Sequence, residues 1–286
     1  MTVRITRQPI KSNNESLPGV LIGDAEVALA THQSCRAYYS VKRSMVTGVV
    51  SSLPFSLRSF SNYDNASLVP DKANQNPSVG DNFLGFIAGV DNGNMLSTPE
   101  LVALDYSSGF VMGVVFRAPP GGGGAMIGNA LNMENNGPNA TNVRWAGLAL
   151  GFGTGADAPF VSGFLLGNQT RVRHATSGIA DLRDGKWHCA TLNFKHDEQT
   201  LTIRLDGGNE ATVSTRSTGG VARDISTVGG AQQLRVAATG LAGEPTDYHF
   251  HGDISTAFCC ASGDVDSQII ENWEKAMIKN FEIEQN

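Results

Sequence analysis

The 286-residue chain is predicted to fold as an all-β, antiparallel β-sandwich. Three observations point there. Short runs of alternating apolar residues recur along the chain, separated by Gly, Asn, Asp and Pro. Helical periodicity is nearly absent before the last stretch of the chain. The chain carries 33 glycines, where the usual share of about 7% would give about 20, and only 17% charged residues against about 25% in ordinary domains. Many turns and a weakly charged surface follow.

Taken in order, residues 1–18 are polar, aperiodic and close on Leu17-Pro18-Gly19, which reads as an extended arm ending in a turn. Residues 19–30 and 36–50 carry β-branched and aromatic residues at strand-like intervals and are expected to be strands, although 25–30 could also form a helical turn. Residues 60–82 concentrate Asn, Asp, Ser and Pro and predict a long surface loop. Phe110, Met112, Val114 and Phe116 alternate along one face of a strand that Pro119-Pro120 and the glycines 121–124 terminate, those glycines reading as a flexible connection. Further short strands are expected at 145–152, 160–166, 170–175, 187–194, 200–205, 211–215, 234–238 and 248–258. Ile269, Ile270, Trp273, Met277 and Phe281 then recur at helical spacing, with Asp264 or Asp266 placed as N-cap, and predict one short C-terminal helix packed on the sandwich.

Composition also excludes partners. The net charge of −6 is spread along the chain, so no basic stripe exists to neutralise phosphates, and nucleic acid is excluded. No apolar run approaches the ~20 residues of a membrane helix, so no membrane insertion is expected. The N-terminus has no apolar signal core, so the expectation is cytoplasmic synthesis without a signal peptide. Cys35, Cys189, Cys259 and Cys260 fit neither a disulfide framework nor zinc spacing and are expected to be free, mostly buried thiols, with Cys259 and Cys260 on opposite strand faces.

The segment Asp184-Gly185-Lys186-Trp187-His188-Cys189, followed by Leu201-Thr202-Ile203-Arg204-Leu205-Asp206-Gly207, resembles the D-G-x-W-H and L-x-[LIV]-x-[LIV]-D-G hairpin of laminin G-like and pentraxin-like domains, members of the concanavalin A-like jelly-roll superfamily. Phe250-His251-Gly252-Asp253-Ile254 is similar to the closing strand of that family. The resemblance covers about two thirds of the chain and implies a laminin G-like jelly roll over 105–286. Residues 19–104 then supply N-terminal strands and the long loop, expected to complete the sandwich. Trp187 is expected in the core.

Candidate chemistry is sparse. If Tyr248, Phe250, Ile254 and Phe258 face the core, period two brings His249, His251, Asp253 and Ser255 together on the opposite face, where they could bind a glycan or a divalent metal. Asp91, Asn92 and Asn94 form an oxygen-rich loop and are the candidate calcium ligands; no other cofactor is expected. No carboxylates alternate along a strand as in sandwich glucanases, no G-x-S-x-G elbow occurs, and the glycines 121–124 lack the Lys and Ser or Thr of a phosphate loop. The N-x-[ST] sequons at Asn14, Asn65, Asn139 and Asn168 read as chance matches on an Asn-rich surface. The expected protein is therefore noncatalytic. The resemblance and the missing signal peptide imply a virion component, such as a bacteriophage capsid decoration, tail fibre or receptor-binding subunit, that binds glycan or neighbouring virion proteins, with homo-oligomers conceivable. A carbohydrate-active enzyme or its polysaccharide-binding module, and a secreted extracellular calcium-dependent adhesion domain, are the alternatives.

Overall fold

The computed structural model describes residues 23–41, 46–47, 55–61, 66–70, 75–88, 94–98, 102–104, 108–130, 145–151, 160–167, 170–175, 181–216, 230–238 and 249–284. The arm at 1–18, together with Asp91, Asn92 and Tyr248, lies outside the described residues. In chain order the elements are α1 (Asp24–Ala30), β1 (Cys35–Ser40), β2 (Val46–Thr47), β3 (Ser56–Leu57), β4 (Val69–Pro70), β5 (Ser78–Val79), β6 (Leu84–Phe86), β7 (Leu96–Ser97), β8 (Val102–Leu104) and β9 (Phe110–Arg117). There follow β10 (Gly124–Ala130), β11 (Trp145–Leu150), β12 (Val161–Gly167), β13 (Thr170–Ala175), β14 (Trp187–Lys195), β15 (Thr200–Leu205), β16 (Asn209–Ser214), β17 (Gly230–Val236), β18 (Gly252–Cys260) and α2 (Ser267–Asn280).

Two antiparallel sheets carry the architecture. The first runs β16-β15-β14-β9-β18-β6-β5, with β1 also paired to β18. The second runs β13-β12-β11-β10-β17-β7-β4, with β8 also on β17. Strands from the first hundred residues therefore lie in both sheets, beside strands from the end of the chain. No helix among the described residues is long and apolar enough to cross a membrane.

The alternation read in β9 is what joins the layers. Phe110, Met112, Val114 and Phe116 are fully buried and meet Ala190, Leu192 and Phe194 of β14, Leu201, Ile203 and Leu205 of β15, and Leu148 and Leu150 of β11 in the core between the sheets. The intervening Val111 and Val115 face the other way, into a second apolar layer with Cys189, Phe258, Trp273, Met277 and Leu29. A strand buried on both faces reads as a nearly continuous hydrophobic run, as Phe-Val-Met-Gly-Val-Val-Phe does. The helices thus form a third layer on the first sheet.

Helix α2 begins where its sequence places a cap: Asp266 accepts the Gln268 amide at 2.9 Å, and Ile270, Trp273 and Met277 are buried. Trp273 stands edge-on to Phe258, with ring centroids 4.8 Å apart, and its indole N–H donates to the Tyr38 hydroxyl at 3.0 Å. That hydroxyl donates in turn to Glu26 Oε1 at 3.0 Å, while Glu26 Oε2 accepts the Gly23 amide at 2.9 Å. One chain of hydrogen bonds therefore ties α2, β1 and α1 together. Burial and the neighbouring carboxylate of Glu26 hold the Tyr38 phenol well above its ordinary pKa, so it stays a donor.

Three expectations are corrected here. Residues 24–30 form α1, the helical alternative for 25–30, and not a strand: acidic Asp24 and Glu26 occupy the first turn, the alanines favour the helix, and Glu26, Leu29 and Ala30 are the buried positions. Within the described part of 36–50, β1 pairs with β18 through Ser40, the Val41 amide still donates to the Ser255 carbonyl at 2.8 Å, and Val46–Thr47 pairs separately with β3. The glycines at 121–124 are no slack connection. Gly123 exchanges backbone hydrogen bonds with His251, and a Cβ on Gly124, whose φ is +116°, would lie 2.2 Å from the His249 carbonyl oxygen. Glycine is required there by close backbone approach.

All four cysteines are free and buried, with Cys259 in the inter-sheet core and Cys260 in the helix layer. Replacing Trp273 by Ala should lower stability by about 3–5 kcal/mol, the range for deleting a buried aromatic. Equilibrium denaturation of the purified chain measures this, and an unchanged midpoint would contradict the three-layer packing.

Candidate functional site

The end of β18 makes the site. Its ladder with β9 pairs Asp253 with Arg117 and Ile254 with Phe116, then skips Ser255 and resumes with Thr256 opposite Val115. One extra residue in a strand reverses which side chains face inward. Before the bulge Phe250 and Ile254 face the inter-sheet core; after it Ala257 and Cys259 do, while Phe258 and Cys260 enter the helix layer. Uninterrupted alternation would have turned Asp253 inward with Ala257. The bulge instead sets it on the outer face beside Arg117.

This arrangement separates the four residues predicted to share a face. Phe258 lies on the opposite side from Phe250 and Ile254, because the bulge breaks the period that joined them. Ser255 is buried and its hydroxyl donates to the Asn82 carbonyl at 2.5 Å. His249 is buried where the backbone bridges to Ala125. Only His251 and Asp253 reach a common cleft. Asn94 also lines it, but the amide of Asn94 is engaged inside the protein: Oδ1 accepts the Ile87 N–H at 2.7 Å and Nδ2 donates to the Asn76 carbonyl at 3.1 Å. It ties together Ile87 and Asn76, two residues that line the cleft. Asp91 and Asn92 lie outside the described residues, among which no group of His, Cys, Asp or Glu has metal-binding geometry.

The cleft has a volume of about 480 Å³ and is lined by Asn76, Ser78, Gly85, Ile87, Asn94, Arg117, His251 and Asp253, among others. Arg117 Nε and Nη2 both donate to Asp253 Oδ2, at 2.9 and 2.5 Å. The pair is partly open to solvent, at 34% and 22% side-chain exposure. Its worth is therefore in geometry more than in stability. The guanidinium packs against both Phe83 and Trp187, 5.2 and 4.8 Å from their ring centroids, and the two rings touch each other at a tilt, with centroids 6.1 Å apart. Gly85 admits Asp253 and Ser78 over the floor, since a Cβ there would fall 2.3 Å from Ser78 Oγ. At the rim Ile87 is 49% exposed, the one large hydrophobic so exposed among the described residues.

Trp187 is thus only half-buried, under Arg117 and against Phe281 at 5.0 Å between centroids, where a core position was expected. The outward register of β14 at this residue, opposite Arg117, is the cause. Arg117, Phe83 and Ile87 were not singled out by sequence. Arg117 read only as the polar end of an apolar strand, and no local signal links it to Asp253, 136 residues away.

The D-G-K-W-H…D-G hairpin acquires a physical meaning. Asp206, fully buried at φ +50°, accepts the Cys189 amide at 2.8 Å through Oδ1. As the imidazolium, His188 donates from Nδ1 to Asp206 Oδ2 at 2.9 Å and from Nε2 to Asp184 Oδ1 at 3.2 Å. Burial opposes the charge on His188, but the hydrogen bonds and charges of Asp206 and Asp184 outweigh it and raise its pKa. The motif locks the turn bearing Trp187. A second cavity of about 330 Å³ is lined by Asp184, Lys186, Trp187, His188, Phe281 and Glu284, and Lys186 pairs there with Glu284 at 2.7 Å.

No protein-family model matches the chain, and no curated protein matches it. Solved structures do. The binding domain of botulinum neurotoxin serotype D/C aligns at TM-score 0.53 with 10% identity, over 85% of this chain and 52% of that one. A Trypanosoma rangeli sialidase in complex with sialic acid aligns at TM-score 0.54 with 12% identity, over 88% of this chain and 34% of that one. The chain shares their β-sandwich fold. It spans about half of the toxin domain and a third of the sialidase. At such identities the likeness is one of fold.

Because the folded pKa of His188 is raised, its contribution to stability is fully present below the unfolded imidazole value of about 6.5 and is lost as pH rises through the folded value. The stability gap between the native chain and a His188→Gln variant should therefore narrow as pH rises from about 6 to about 9. Asp206→Ala, which leaves the buried imidazolium without its main partner, should cost about 3–5 kcal/mol at acidic pH. Thermal midpoints across pH test both.

Proposed function

We propose that the chain is a noncatalytic recognition module that binds a glycan in the cleft between β6, the end of β9 and the start of β18. One observation carries this reading: Arg117 and Asp253, held side by side by the Ser255 bulge and backed by the tilted Phe83 and Trp187 rings, offer hydrogen-bond donors and acceptors in an open cleft beside the exposed Ile87. Fixed polar groups beside an apolar ledge are what a sugar, with hydroxyls around its edge and C–H groups on its face, requires. Hydrolysis by the common route needs two carboxyl groups across the scissile bond. Asp253 is the only carboxylate among the described lining residues, and it is bound to Arg117.

The fold shared with a toxin binding domain and with a sialidase in complex with sialic acid makes glycan the ligand class to test first. The hairpin at 184–207 supports a finer placement of the module among laminin G-like jelly rolls. The reading takes no cofactor. The 17% charged content favours, as a second reading, life as a subunit within a larger assembly such as a virion, packed against neighbouring proteins. A purified chain that stays a monodisperse, highly soluble monomer would count against that second reading.

Glycan-array binding, followed by mass spectrometry of the bound sugar after prolonged incubation, tests the proposal. The expected outcome is retention on a defined glycan set, loss of at least about tenfold in affinity on Arg117→Ala, and no cleavage. No retention on any glycan, or steady release of a shorter sugar, would overturn it.

A further inference from the structure

We infer that the cleft selects neutral, polyhydroxylated saccharides and rejects acidic ones; this deepens, and rests on, the glycan reading above. An arginine in a sugar-binding cleft is most simply taken as a carboxylate receptor. Here its charge is already compensated. Both Nε and Nη2 of Arg117 donate to one oxygen of Asp253, Oδ2. Arg117 and Asp253 are the only Arg, Lys, Asp or Glu side chains among the described lining residues, with His251 exposed beside them. The two formal charges cancel.

The pairing leaves complementary groups in place. Asp253 Oδ1 accepts nothing from Arg117, and Arg117 Nη1 donates nothing to Asp253. One strong acceptor and one strong donor thus remain on the two partners of the pair, whose guanidinium rests on Phe83 at 5.2 Å and Trp187 at 4.8 Å. A hydroxyl group both donates and accepts, so two adjacent sugar hydroxyls match this pair without breaking it. A carboxylate or sulfate only accepts. To reach the guanidinium it must displace Asp253 or sit against its negative charge, and like charges brought together are disfavoured. Ile87, half-exposed at the rim, adds an apolar surface for the sugar's C–H face. Pre-organisation of the pair before binding reduces the ordering that a ligand would otherwise require.

The test is calorimetric titration of the full chain with neutral glucose, galactose and mannose oligomers and with uronate, sulfated and sialylated counterparts, at low and high salt. The expected result is binding to a neutral series at least about tenfold tighter than to its acidic counterpart, with an affinity that salt leaves unchanged. Asp253→Asn, which uncovers the guanidinium charge, should weaken the neutral ligand about tenfold or more and gain acidic ones. Tighter, salt-sensitive binding of acidic saccharides would overturn the inference and leave the glycan reading standing. A folded Asp253→Asn variant with unchanged neutral binding would also overturn it. No binding by the native chain to any saccharide would overturn the glycan reading itself. Should the variant fail to fold, the ligand series and the salt dependence of the native chain still decide.

Discussion

The bulge at Ser255 is the constraint on which the rest of the molecule depends. Strand β18 lies between β9 on one side and β1 and β6 on the other, so it must serve the inter-sheet core and the helix layer at once. A regular strand could present Asp253 and Ala257 only on the same face. Inserting one residue that the ladder with β9 skips lets the strand bury Ile254, Ala257 and Cys259 between the sheets while turning Asp253 outward to Arg117. The buried Ser255 hydroxyl, bonded to the Asn82 carbonyl, satisfies the displaced residue and holds down the segment before β6. Packing, register and cleft are thus one arrangement.

The same strand explains why two short helices belong to a β-protein. With Phe258 and Cys260 facing away from the second sheet, the first sheet has an apolar outer face that must be covered. Trp273, Met277 and Leu29 cover it, and the relay from Trp273 through Tyr38 to Glu26 fixes how α1 and α2 sit. Thr191 and Arg204 add polar anchors to Glu274, at 2.7 and 3.1 Å, and burial raises the pKa of that carboxyl while its partners draw it down. This layer packs on Val111 and Val115 of β9 and on Phe258 and Cys260 of β18, the two strands whose ladder pairs Arg117 with Asp253.

Much of this was legible in the sequence because it is local. Alternation in 110–116 gave the inward face of β9, the spacing of Ile270, Trp273 and Met277 gave α2, and Asp266 was a correctly placed cap. Asp-Gly pairs bracketed the 187–205 hairpin, whose strands pair as expected. What failed was what depends on distant pairing. The period-two grouping of His249, His251, Asp253 and Ser255 assumed an unbroken ladder, and a bulge has no reliable signature in one strand's residues. The composition of 24–30 left strand and helical turn both open because the deciding interactions, Glu26 with Gly23 and with Tyr38, are a capping contact and a tertiary one. Glycines 121–124 looked slack for the same reason: the backbone of His249 and His251 that demands them lies in a segment more than a hundred residues later.

A cleft defined by one bulge and one ion pair concentrates recognition on a few atoms. The most direct measurement is the side-chain nitrogen–proton spectrum of isotope-labelled protein, followed while a bound saccharide is titrated in. The expected result is that the Arg117 Nε and Trp187 indole signals move first and saturate together, while the buried Trp273 indole, bonded to Tyr38 in the helix layer, stays still. Shifts that leave Arg117 and Trp187 untouched and fall on the second sheet would contradict the cleft as the binding site.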